Sequence, residues 1–64
     1  MKNKLFLIHY IYKNPDVEHD ATHYEHEYYL TPSLAKAITD VEERNKGFTV
    51  TITQYEEVFF REVI

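Results

Sequence analysis

Three of the four histidines in this sequence stand close together in the segment HDATHYEHEYYL, at positions 19, 23 and 26. If the segment were helical, this spacing would place His19, His23 and His26 on one side, where Asp20 or Glu27 could add an oxygen ligand for zinc. In a strand, by contrast, His23 and His26 point to opposite faces. The tyrosines and the threonine of the segment favour a strand. We therefore predict no metal site and keep the three-histidine site as the alternative.

No arrangement of residues in the chain is typical of an enzyme. Cysteine is absent and glycine occurs once, so the sequence offers neither a thiolate nucleophile nor a glycine-rich phosphate loop. Ser33 and Gly47 are explained by the two ends of a predicted helix. Paired acids such as Glu42-Glu43 and Glu56-Glu57 are more often solvated surface than catalytic dyads. We expect no catalytic residue and no cofactor.

Composition limits the kind of protein further. Sixty-four residues make one domain, spanning 1–64, with a small core and marginal stability. Seven basic against eleven acidic residues give a formal charge of −4, which argues against direct binding of nucleic acid. The chain has no cysteine, no signal-like segment and no apolar run long enough to span a membrane. We expect a soluble, cytoplasmic protein whose partner is another protein.

The segment KLFLIHYIY, residues 4–12, predicts a strand that is apolar on both faces. Period two separates its side chains into Leu5, Leu7, His9 and Ile11 on one face and Phe6, Ile8, Tyr10 and Tyr12 on the other. One short helix can cover only one side of a small sheet, so the second apolar face is expected to meet another copy or a partner. We assign a homodimer interface to Phe6, Ile8, Tyr10 and Tyr12. Cover by the chain's own loops is the alternative.

The middle of the chain predicts a second strand and a helix. Residues 22–30 alternate between a half-apolar face and a charged face, as in an antiparallel strand. Residues 32–46 predict a helix, with Thr31 as the N-cap, Pro32 in the first turn and Gly47 as the C-cap. Its apolar stripe consists of Leu34, Ala37, Ile38 and Val41.

The last part of the chain predicts one secure strand and an ambiguous tail. Phe48, Val50 and Ile52 alternate with threonines, which is typical of a strand with one buried face. For the tail we predict a turn at 55–57 and a fourth strand over 58–63, with a C-terminal helix as the alternative. The predicted fold class is α+β: a small antiparallel sheet of three or four strands with one helix packed on one face. The element order is ββαββ, or ββαβ plus a C-terminal helix.

The segment between positions 16 and 29 carries five acids and three tyrosines but no lysine or arginine. Tyrosine gives a large contact area, and carboxylates attract basic partners. We predict a partner-binding surface formed by Glu18, Asp20, Tyr24, Glu25, Glu27 and Tyr29. A histidine-based metal-binding module and a structural or assembly subunit are the alternative functions. An ordinary solubilising face is the plainest alternative.

The order of these features resembles that of very small phage-encoded inhibitors, notably the dimeric inhibitors of uracil-DNA glycosylase from Gram-positive phages. The shared layout is an acidic loop, the strand HYEHEYYL, a helix opened by Thr-Pro-Ser-Leu and a following strand, and it covers most of the chain. Phage inhibitors of CRISPR effectors are similar in size and acidity. The resemblance implies a homodimer that presents acidic and apolar residues to the DNA groove of a host enzyme and inhibits it as a DNA mimic.

Overall fold

Three antiparallel strands and one helix make up the fold. The computed structural model describes residues 2–19 and 21–59. In chain order the elements are β1 (Lys4–Lys13), β2 (His23–Thr31), α1 (Leu34–Arg44) and β3 (Thr49–Val58). The strand order in the sheet is β2-β1-β3, with both pairs antiparallel. The predicted α+β class, a small antiparallel sheet with one helix on one face, is confirmed.

Strand β1 is the central strand, as its apolar, β-branched and aromatic sequence favours. Its pairing with β2 is unbroken from Lys4 opposite Thr31 to Tyr12 opposite His23. Its pairing with β3 shifts by one residue between His9 and Tyr10, so that Thr53 is the extra residue of a bulge. The hydroxyl of Thr53 donates a hydrogen bond to the carbonyl oxygen of His9 at 3.2 Å, which holds the bulge closed.

The core lies between α1 and one face of the sheet. Its buried side chains are Phe6, Ile8, Tyr10, Ala37 and Val41. Half-buried side chains packed around them are Tyr12, Tyr29, Leu34, Val50 and Ile52. Full burial of a side chain such as Ile8 or Val41 contributes about 1.5–3 kcal/mol of transfer free energy, so a core of this size leaves the fold marginally stable.

The helix covers the face of β1 to which the sequence assigned the homodimer interface, and that assignment needs correction. Phe6, Ile8 and Tyr10 are 5%, 0% and 2% exposed beneath α1, where a second copy cannot reach them. Tyr12 lies beside them, stacked on His23 and met edge-on by Phe48. The sequence shows two apolar faces but does not show which of them the helix takes. The face left uncovered is the one that carries Leu5, Leu7, His9 and Ile11.

Helix α1 is shorter than predicted at both ends. Thr31 does not cap it, because this residue ends β2 opposite Lys4 and is buried. Ser33 is the N-cap, and its hydroxyl accepts a hydrogen bond from the backbone N–H of Lys36 at 3.2 Å. Asn45 is the C-cap, and Gly47 takes a φ of 94° two residues further on, the left-handed conformation that glycine was predicted to supply.

The predicted turn at residues 55–57 is wrong. Those residues continue β3, because β1 is ten residues long and offers backbone partners as far as Leu5, opposite Val58. Of the predicted fourth strand over 58–63, Val58 belongs to β3 and Phe59 follows it. Residues 60–63 lie outside the described residues. Within the part of the chain that the structure describes, no helix is long and apolar enough to cross a membrane.

Candidate protein interface

The sheet face turned away from α1, here called the open face, carries three of the exposed large apolar side chains, Tyr24, Tyr28 and Leu30. Strand pairing places β2 residues opposite the odd-numbered residues of β1, with their side chains on the same side. The open face consists of Leu5, Leu7, His9, Ile11 and Lys13 from β1, of Tyr24, His26, Tyr28 and Leu30 from β2, and of Thr49, Thr51, Gln54, Glu56 and Val58 from β3.

Much of the open face is in contact with solvent. Tyr24, Tyr28 and Leu30 are 81%, 62% and 64% exposed, since α1 packs on the opposite side of the edge strand β2. From Leu5 to Lys13 the face is about 26 Å long, and three strands make it about 14 Å wide. Most of its apolar residues lie on β1 and β2, whereas β3 adds two threonines, Gln54, Glu56 and Val58. An exposed apolar patch beside a polar margin makes this face the candidate interaction surface.

Two histidines form the centre of the open face. The rings of His9 and His26 stack with centroids 5.6 Å apart and an interplanar angle of 30°. His9 is flanked on its other side by Gln54 of β3. The pair is framed by apolar residues on both sides along the strands: Leu7 and Tyr28 in one direction, Ile11 and Tyr24 in the other.

A depression of about 210 Å³ lies at the end of the sheet near the β1–β2 loop. Its walls come from the end of β1, the start of β3 and the flanks of the loop. They are formed by Ile11, Tyr12, Lys13, Pro15, Thr22, Thr49 and Thr51. This hollow is small beside the pockets of roughly 300–1,000 Å³ that hold small-molecule ligands. We therefore interpret the depression as surface relief rather than as a small-molecule pocket.

The helix-covered side of the sheet carries a polar cluster that joins β2 to the end of α1. The Tyr10 hydroxyl donates a hydrogen bond to Glu27 and accepts one from the side-chain amide of Asn45 at 3.2 Å. The other carboxylate oxygen of Glu27 pairs with Arg44 at 2.7 Å. The Glu27 side chain is 15% exposed, so this carboxylate is held internally rather than presented to a partner. Its assignment as a partner contact is corrected accordingly.

Burial changes the acidity of two tyrosines in this region. Burial, followed by the hydrogen bond to Glu27, raises the pKa of Tyr10 from 10.0 to about 12. Burial and then the negative charge of Glu27 also raise the pKa of Tyr29. The Tyr29 hydroxyl is buried close to the Glu27 carboxylate. Tyr29 therefore packs against the core instead of lying on a binding surface.

The remaining predicted contact residues do not form one surface. Tyr24 lies on the open face, whereas Glu25 has its side chain on the helix side of the edge strand. Glu25 is exposed and accepts a hydrogen bond from the backbone N–H of His26 at 3.1 Å. Glu18 is exposed in the β1–β2 loop, 3.5 Å from His19. Asp20 lies outside the described residues.

The histidines that could have held a metal are separated. His23 and His26 point to opposite faces of β2, as predicted for a strand: His23 stacks on Tyr12 and His26 on His9. His19 lies in the loop with a φ of 66°. In residues 2–19 and 21–59, no three histidine or acidic side chains are grouped closely enough to bind a metal ion.

Of the β2 residues on the open face, the sequence predicted Tyr24 as a partner contact but not Tyr28 or Leu30, and the β1 face predicted to stay uncovered is the one that the helix covers. The signal for Tyr28 and Leu30 was present in the alternation of residues 22–30. The alternation does not show which face of the sheet the helix covers. That depends on the connection through Pro32 and Ser33 and on the register of β2 with β1. A comparison of the chain with protein-family models, with curated proteins and with solved structures finds no match.

Proposed function

We propose that this chain is a small homodimeric inhibitor that acts by binding another protein. The observation that carries the proposal is the open face: a sheet with a helix on one side and exposed leucines and tyrosines on the other. Covering such a face with another protein is favourable, because it removes the apolar side chains from water. A second copy of the chain is the occupant we assign to it.

The size of the open face suits a reversible dimer. Its projection is roughly 360 Å², from a length of about 26 Å and a width of about 14 Å. Standing side chains expose more than their projection, so two copies bury on the order of 1,000 Å² in total, at the lower end of specific interfaces. The face is nearly uncharged, with Lys13 and Glu56 at opposite ends. Two copies can therefore meet there although each carries a net charge of −4.

The surface of this chain that binds the target enzyme is then formed by carboxylates outside the open face. Glu18 and Glu25 are the exposed members of the predicted acidic set within the described residues. Carboxylates of this kind steer association with a basic surface, and the DNA-binding groove of a host enzyme is such a surface. The layout resemblance to phage inhibitors of uracil-DNA glycosylase supports a phage-encoded DNA mimic that blocks a nucleic-acid-handling enzyme.

The experiment uses purified uracil-DNA glycosylase as the probe and measures inhibition of uracil excision. We expect the wild-type chain to inhibit, and the inhibition constant to rise as salt is raised from about 50 mM to about 300 mM. The double variant Glu18→Lys/Glu25→Lys should raise the inhibition constant at least about tenfold, because it reverses the charges that attract the target.

The matched control is Glu42→Lys/Glu43→Lys, which makes the same change of charge on the exposed side of α1. It should inhibit within about threefold of the wild-type chain. Equal loss of inhibition in both double variants would show that inhibition depends on net charge alone and not on the positions of Glu18 and Glu25. Absence of inhibition by the wild-type chain at every salt concentration would remove the proposed target.

A further inference from the structure

We propose that two copies, meeting through their open faces, bring His9 and His26 of both chains into one cluster of four imidazoles, so that the dimer dissociates when the pH falls. This inference rests on the homodimer of the proposed function and adds a site that a single copy does not contain. It starts from the place of the histidine pair, which is the centre of the open face.

The symmetry of the open face favours a two-fold axis at His9. His9 is the midpoint between Leu5 and Lys13, and a two-fold axis in the interface plane, perpendicular to the strands, lays each strand over its own copy in reverse. In that arrangement Ile11 of one copy faces Leu7 of the other. Likewise Tyr24 faces Tyr28, two residues on either side of His26 in the same strand.

The same axis also pairs charges of opposite sign. It carries Lys13 of one copy over Leu5 of the other, whose β3 neighbour is Val58, and Glu56 lies one side-chain position further along, opposite Leu7. Lys13 of one copy thus approaches Glu56 of the other twice, once at each end of the interface. At the centre the axis leaves His9 over His9 and His26 over His26, within reach of one another between two sheets about 10 Å apart.

The groups that face the histidine pair offer little compensation for a positive charge. From β1 they are Leu7 and Ile11, with Lys13 further along; from β2 they are Tyr24 and Tyr28. From β3 the neutral Gln54 lies beside His9, and Glu56 lies one position further, beside Leu7. Glu25 and Glu27 project from the other side of β2.

Protonation of the cluster therefore opposes association. Histidine is the side chain that gains its proton between pH 8 and pH 5. In the free chain the face that carries the pair meets solvent, whereas in the dimer an added positive charge lies beside three other imidazoles in a desolvated interface. The complex holds fewer protons than the separate chains, so association is favoured above the titration range and weakens as the pH falls. Because an interface of modest area gives a modest free energy of association, the binding of a few protons is enough to shift the dimer towards monomer.

Sedimentation equilibrium of the full chain tests the inference at about pH 8 and about pH 5.5, in EDTA so that no metal ion contributes. The dissociation constant of the wild-type dimer should rise at least about tenfold at the lower pH. In His9→Gln/His26→Gln the rise should be less than about threefold. In the control His19→Asn/His23→Asn, which removes two histidines outside the open face, the rise should match the wild type.

Proton uptake measured by NMR gives a second test that does not depend on the folding of the glutamine variant. The imidazole signals of His9 and His26 should titrate at lower pH in the dimer than in the same chain diluted to monomer, with His19, which lies in the β1–β2 loop, as the internal reference. A dimer at pH 8 with an unchanged dissociation constant at pH 5.5 overturns the inference and leaves the homodimer standing. A dissociation constant that rises as much at the lower pH in His9→Gln/His26→Gln as in the wild type also overturns the inference. A chain that is monomeric at pH 8 overturns the homodimer of the proposed function itself.

Discussion

The Tyr10 hydroxyl is the point at which polar contacts join the sheet to the helix. It lies in a residue that is 2% exposed, donates to Glu27 and accepts from Asn45, whose amide also donates to the carbonyl oxygen of Val41 at 2.9 Å. Hydrogen bonds to a charged group in a buried site are among the stronger ones in proteins. The cluster therefore fixes the end of α1 over β2.

Replacement of Tyr10 by phenylalanine tests this role through stability. Tyr10→Phe should lower the free energy of unfolding near neutral pH by about 1–2 kcal/mol, because Glu27 and Asn45 lose a partner. Since the pKa of Tyr10 is raised above its unfolded value of 10.0 to about 12, its contribution is fully present below pH 10 and is lost as the pH rises to 12. Urea unfolding between pH 8 and pH 12 should show this loss in the wild type and a weaker one in Tyr10→Phe.

Tyr24→Phe is the matched control, because it removes the same hydroxyl from a side chain that is 81% exposed. Its unfolding free energy should stay within about 0.5 kcal/mol of the wild type. A Tyr10→Phe variant as stable as Tyr24→Phe would show that the polar cluster does not hold the helix in place.

Glu25 and Glu27 show what a single strand pattern cannot predict at the scale of one residue. Both lie on the helix side of β2 and look alike in the sequence. Glu27 alone lies opposite Ile8, under the end of α1 and within reach of Arg44, so one carboxylate is internal and the other is exposed. That difference comes from contacts between residues far apart in the chain.

At the scale of the element, α1 depends on a cap that lies two residues later than the sequence predicted. Both Thr31 and Ser33 are good capping residues, and propensity does not separate them. The pairing of Thr31 with Lys4 decides the matter by extending β2. The apolar stripe of the helix, by contrast, was predictable, because 3.6-residue periodicity fixes the side of a helix that is buried. Ala37 and Val41 of the predicted stripe are fully buried.

Removal of the cap measures its importance. Ser33→Ala should lower the free energy of unfolding by about 1 kcal/mol, because the N–H of Lys36 loses its acceptor. Thr39→Ala is the control, since its hydroxyl bonds to the carbonyl oxygen of Ala35 within the exposed part of the helix. That substitution should be neutral or slightly stabilising. Thermal unfolding followed by circular dichroism compares the two, and equal loss in both variants would argue against Ser33 as the cap.

At the scale of the whole molecule, the sheet has one side covered by a helix and one side open. The described residues form a thin molecule, with principal extents of 52 × 22 × 13 Å, because a single helix covers one side of the sheet. The sequence predicted that one apolar face of β1 would remain for another protein. It could not predict which one, since both faces satisfy the same period-two pattern. Among the described residues, the face of Leu5, Leu7 and Ile11 is the one that α1 does not cover, with Tyr28 and Leu30 beside them.

Two exposed tyrosines on edge strands allow a direct test of the proposal that two copies meet through their open faces. Tyr28 is 62% exposed on the open face, and Tyr55 is 56% exposed on the helix side of the sheet, opposite Ile8. Each is replaced by lysine, so the chains gain the same charge. The molar mass in solution is measured by sedimentation equilibrium at about pH 8. We predict a dimer for the wild type and for Tyr55→Lys, and a folded monomer for Tyr28→Lys. A monomeric wild-type chain, or a Tyr28→Lys variant that dimerises as tightly as Tyr55→Lys, would contradict the proposal that two copies meet through their open faces.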